Sequence, residues 1–69
     1  MRMEKFGKIL FELRRQLKIS QQQLAGWVDV TQQCISEWER GLTEPTLTNL
    51  CRLADVFNVS IDLLAGRID

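Results

Sequence analysis

An all-α fold, compact and built of five short helices, is what this sequence predicts. Apolar residues recur at three- and four-residue spacing along nearly the whole chain. The helix-starting residues Ser20, Thr31, Thr46 and Ser60 punctuate that pattern. No stretch reads convincingly as a strand, and there are no repeats or low-complexity tracts. The 69 residues are enough for one domain spanning 1–69, with its core at about 6–66. A domain this small buries only about 60% of its unfolded surface, so self-association is expected to supply core that the single chain lacks.

Each helix has its own local reasons. Phe6, Ile9, Leu10, Leu13 and Leu17 lie on one face of a first helix from about residue 3 to 17. Ser20 and Gln23 form a capping box that opens a second, with Leu24, Ala25, Trp27 and Val28 as its apolar positions. Asp29 stops it, because Asp tolerates the left-handed backbone of a tight turn. Thr31 caps a third helix running to about Arg40, with Ile35 and Trp38 inward, and Gly41 supplies the positive φ of its end. Beyond the loop Leu42-Thr43-Glu44-Pro45, Thr46 caps a fourth, whose inner face is Leu47, Leu50, Leu53, Ala54 and Phe57. Asn58 stops that helix. Ser60 caps a short fifth, which carries Asp62 in its first turn, adds Ile61 and Leu64 to the core and ends at Gly66.

Composition removes several function classes. There is no histidine, no CxxC and no phosphate-binding glycine motif, so neither metal, cofactor nor catalytic residues are expected, and the chain is read as no enzyme of a small-molecule substrate. Cys34 and Cys51 read as ordinary half-buried thiols of a reducing compartment. The absence of a long apolar run or a leader pattern predicts a cytoplasmic chain with no membrane partner. Net charge is zero, yet unevenly spread. The first twenty residues hold six bases against two acids, and the remainder three against seven. A basic first helix near phosphates, with the acidic remainder facing away, is consistent with that division.

The second and third helices, Ser20–Val28 and Thr31–Arg40, are two short helices joined by a tight turn, the pattern of a helix-turn-helix. With Ile35 and Trp38 inward, Gln32, Gln33, Ser36, Glu37 and Arg40 are left outward. A glutamine amide matches the N6 and N7 edge of adenine in the major groove, and a glutamate accepts from cytosine N4. Gln32 and Gln33 also suit a helix start for purely structural reasons. Trp27 and Trp38, potential stacking platforms for single strands, are assigned to the core because both fall on apolar faces.

From Ser20-Gln-Gln-Gln-Leu-Ala25 through Val28-Asp-Val-Thr-Gln-Gln-Cys-Ile-Ser-Glu-Trp-Glu-Arg-Gly41, the chain resembles the helix-turn-helix of the Cro/C1-type (XRE) family, which includes the lambdoid phage repressors. Leu13-Arg14, Pro45, Leu50-Cys-Arg-Leu-Ala54 and Val59-Ser-Ile-Asp-Leu-Leu64 extend the resemblance over about residues 6–66. It implies a lambda-repressor-like five-helix fold and a sequence-specific regulator of double-stranded DNA, with the third helix, about residues 31–40, in the major groove. It assigns base reading to Gln32, Gln33 and Glu37, with Ser36 beside them, and phosphate contact to Ser20, Gln21, Thr31 and Arg40. It also implies a structural ion pair between Arg14 and Glu39, from which Arg14 has spare donors for a phosphate. Two departures stand out: Asp29 replaces a common turn glycine, and the loop at 41–44 carries Glu44 where basic residues are frequent. A homodimer on a near-palindromic operator is the expected assembly. Leu42, Leu63 and Ile68 are the apolar residues proposed for its interface, with Leu63 equally assignable to the core. The alternative is a protein-interaction module or antitoxin component of the same fold.

Overall fold

The computed structural model describes residues 3–67. It contains five helices, α1 (Phe6–Leu17), α2 (Gln21–Val28), α3 (Gln32–Glu39), α4 (Leu47–Phe57) and α5 (Ile61–Leu64). The all-α expectation holds, and the boundaries differ from the sequence reading mainly at α1, which starts three residues late. Lys5 caps it without a side-chain hydrogen bond.

The other four starts are held by short hydroxyls. The Ser20 side chain accepts the Gln23 amide at 3.0 Å while the Gln23 side chain accepts the Ser20 amide at 2.8 Å, completing the capping box. Thr31, Thr46 and Ser60 accept the amides of Cys34, Asn49 and Leu63. All five ends use a left-handed residue: Lys18, Asp29 and Asn58 at α1, α2 and α4, and Gly41 and Gly66 one residue past the caps of α3 and α5. At the end of α3, Gly41 N–H donates to the Trp38 carbonyl and Leu42 N–H to the Glu37 carbonyl, the paired bonds of a Schellman motif.

The core joins Phe6 and Leu10 of α1, Leu24, Ala25 and Val28 of α2, Ile35 and Trp38 of α3, Leu50, Leu53 and Ala54 of α4, and Leu64 of α5. Phe6 meets Trp38 edge to face at 6.2 Å between centroids. This contact is possible because Gly7 lets α1 approach the last turn of α3. A Cβ at position 7 would stand 2.5 Å from the Trp38 carbonyl oxygen and 2.8 Å from that of Glu39.

Three residues placed on inner faces are instead exposed: Trp27 at 56%, Leu47 at 69% and Leu17 at 49%. Leu24, Val28 and Ala25 already fill the buried arc of α2, and Trp27 lies about 100° beyond Val28 at 3.6 residues per turn. Leu47 is the first residue of α4 and Leu17 the last of α1, so both overhang the core. Cys51 is exposed and Cys34 half-buried, so the half-buried assignment fails for Cys51. Among the described residues, no helix is long and apolar enough to cross a membrane.

Candidate nucleic-acid interface

The site starts from the fixed angle between α2 and α3. Asp29 takes φ 60° at the end of α2, and the Val30 amide returns to the Ala25 carbonyl, which closes the turn within three residues. Arg52 of α4 braces the same corner by donating to the Val28 carbonyl at 3.3 Å. With Ile35 and Trp38 locked in the core, the opposite face of α3 has no freedom to rotate.

That face carries Gln32, Gln33 and Arg40 exposed, and Ser36, Glu37 and Cys34 half-buried. The two glutamines occupy the first turn of α3. Gln33 Nε2 donates to Glu37 Oε2 at 3.3 Å, one turn along the helix. Arg40 folds back, its Nε donating to the Ser36 carbonyl at 3.3 Å. Burial, followed by the charge of Glu37, pushes the Cys34 thiol above the usual cysteine range, so it is a poor nucleophile.

Behind this surface lies a network linking α1, α2 and α3. Arg14 donates from Nε to Glu39 Oε2 at 2.6 Å and from Nη2 to Glu39 Oε1 at 3.0 Å, a bidentate pair. Its Nη1 donates to the Ile19 carbonyl at 2.9 Å, just beyond the end of α1. Gln21 Nε2 donates to Glu39 Oε1 at 3.0 Å. The Glu39 side chain is only 6% exposed and that of Arg14 14%. The hydrogen bond to Glu39 raises the Arg14 pKa above its ordinary value, against the opposing effect of desolvation.

Five residues assigned to phosphates therefore stand in different circumstances. Ser20 and Thr31 sit at the starts of α2 and α3, where first-turn amides not taken by the caps are available to an anion. Gln21 and Arg14 are already engaged with Glu39, each with N–H donors to spare. Arg40 lies at the far end of α3.

Glu44 is not a loose acid in the loop. Its carboxylate accepts the Met3 amide at 2.8 Å and ties the start of the described chain to the α3–α4 loop. The sequence reading missed this bond, the Gln21–Glu39 bond, the Arg52 brace and the close approach at Gly7. Only Gln33–Glu37 carried a local signal, its i, i+4 spacing.

A family model described as "Helix-turn-helix" matches residues 10–64. An uncharacterized SPbeta prophage-derived HTH-type transcriptional regulator of Bacillus subtilis (strain 168), YonR, is 36% identical over 59 residues, or 86% of this chain. The chain spans 55% of the length of that relative. The crystal structure of the P22 c2 repressor in complex with a synthetic operator superposes with a TM-score of 0.87 at 36% identity, covering 91% of this chain and 96% of that one. The solution structure of the P22 c2 repressor DNA-binding domain gives 0.82 at 38% identity, covering 93% and 84%.

Proposed function

The chain belongs to the Cro/C1-type helix-turn-helix family, and from that premise we propose that it is a sequence-specific regulator, in the manner of a repressor, that reads double-stranded DNA with α3 in the major groove. The observation that carries the reading is the exposed Gln32–Gln33 pair in the first turn of a helix whose opposite face is buried. Amides at that place match the hydrogen-bonding edges of bases. The P22 c2 repressor, 36% identical to this chain, is bound to an operator in its crystal structure, which supports DNA binding by this fold. Phosphate contact falls to the starts of α2 and α3, at Ser20, Gln21 and Thr31, and to Arg40 and the spare donors of Arg14. Ser36 lies beside the base-reading residues. The family is one of DNA-binding regulators, not of enzymes.

Two-fold assembly completes the reading. Two copies would present their α3 helices to half-sites about 34–36 Å apart, on a near-palindromic operator. Leu42, 61% exposed after α3, is one apolar residue for a second copy to cover. Leu63 is half-buried beside Ile9 and Leu13 in an open groove between α1 and α5, and Ile68 lies outside the described residues. Sedimentation at tens of micromolar, free and on DNA, tests the dimer; a monomer in both sinks it.

Selection of bound duplexes from a random pool, followed by titration at several salt concentrations, tests the main reading. We expect a palindromic consensus and a negative salt slope of about 0.9 per phosphate contact. Gln33→Ala should lose about 1–3 kcal/mol of discrimination at one base position. A folded protein that enriches no sequence even at low salt refutes direct reading and points to a protein partner.

A further inference from the structure

We propose that Glu37 positions Gln33 and does not itself read a base, so that the Gln33 amide presents a fixed donor–acceptor edge selective for adenine. The inference rests on the DNA-reading function above and names what one position of α3 recognises. A free glutamine is ambiguous in a groove: its amide can flip, offering donors to guanine or an acceptor to cytosine. Here Nε2 donates to Glu37 Oε2, which takes up one of the two amide hydrogens and sets which end of the amide faces along the helix. The carboxylate has no hydrogen to donate and accepts only from the nitrogen end, so the flipped amide is repelled. What remains is one N–H and the carbonyl oxygen Oε1, which a primary amide carries side by side when the hydrogen opposite the oxygen is the one engaged. That pair is complementary to adenine N7 and N6–H, and to no other base edge in the major groove.

Burial and charge agree with this division of labour. Gln33 is exposed, whereas Glu37 is half-buried one turn farther along, within hydrogen-bond reach of the amide it orients. A carboxylate facing phosphates directly would lower affinity for every sequence, and a hydrogen bond to a neighbouring amide gives it a role that needs no base. Fixing the long Gln33 side chain before contact also lowers the rotamer entropy lost on binding.

The test uses the full chain and the duplex selection above, run in parallel on wild type, Gln33→Ala, Glu37→Ala, Glu37→Gln and the double variant Gln33→Ala/Glu37→Ala. Gln33→Ala should lose adenine preference at one position by about 5- to 150-fold. Glu37→Ala should weaken preference at that same position by about 2- to 10-fold and leave other positions unchanged. In the double variant that position should be no looser than in Gln33→Ala alone. Glu37→Gln removes the charge but brings an amide that can also donate, so the flipped Gln33 amide is no longer repelled: adenine preference at that position should weaken as in Glu37→Ala, while all duplexes bind more tightly. Thermal melting of each variant checks that the fold is intact. If Glu37→Ala relaxes a different position, one occupied by cytosine, or relaxes none, the proposal is overturned while DNA reading stands. If the wild type selects no consensus, DNA reading itself fails, and the proposal with it.

Discussion

Glu37 and Glu39 stand two residues apart on α3 and share nothing else. Glu39 is enclosed by donors from α1 and α2 and is almost sealed from solvent. Glu37 is half-buried and touches one flexible amide at 3.3 Å. Two residues of helix turn the side chain by about 200°, which carries it from the side facing α1 to the side facing outward. The same residue type therefore serves as a joint of the fold in one place and as part of the outer surface in the other. Charge alone is no guide to which is which; the number and origin of the donors is.

The largest expected effect breaks the inner half of this pair. Glu39→Ala leaves the Arg14 guanidinium mostly buried and without its carboxylate, and should lose about 2–3 kcal/mol of stability in urea unfolding. Equal losses for Glu39→Ala and Glu37→Ala would erase the distinction, since Glu37→Ala is expected to stay within about 0.5 kcal/mol of wild type. Gly7→Ala comes next. Its new methyl meets the Trp38 and Glu39 carbonyls, so α1 must move away from α3. The expected net loss is about 1–2 kcal/mol, after the gain in helix propensity. The displaced α1 should also loosen the Arg14–Glu39 pair, which would appear as a smaller penalty for Glu39→Ala in the Gly7→Ala background. The smallest effect sharpens the outer half. The Cys34 thiol is held above the usual range by burial first and by Glu37 second, so at mildly alkaline pH it is less ionised than an unperturbed thiol and should alkylate more slowly than exposed Cys51. Glu37→Gln removes the second cause and should raise the Cys34 rate by no more than about threefold at fixed pH. An unchanged ratio of rates would show that Glu37 does not reach this far.

What the sequence made legible was local chemistry. Ser20, Thr31, Thr46 and Ser60 cap because their hydroxyls reach amides three residues on, and that relation needs no knowledge of the fold. Asp29, Gly41 and Asn58 take positive φ for equally local reasons. Lys18 does so as well, and nothing in a lysine announces it; the return of the Ile19 amide to Arg14 and the grip of Arg14 on the Ile19 carbonyl hold it there. Trp27, Leu17 and Leu47 were misplaced because apolar spacing marks an arc but not how far neighbouring helices extend along it. At the site, the exposed glutamines followed from helix period. The Arg14–Glu39 pairing entered through family resemblance, and the Gln21–Glu39 bond, across 18 positions, had no sequence signal at all. Gly7 was invisible for a related reason: a missing side chain has meaning only when the opposing backbone is known.

The left-handed joints have a thermodynamic corollary. Each helix end folds back onto its own carbonyls through a residue at positive φ, so the backbone from α1 to α5 has its turns fixed before any duplex arrives. Docking would then order long side chains such as Gln32 and Arg40 but almost no main chain. Calorimetry of the proposed complex should accordingly show a modest negative heat-capacity change, in proportion to the contact surface alone, without the large excess that accompanies folding coupled to binding.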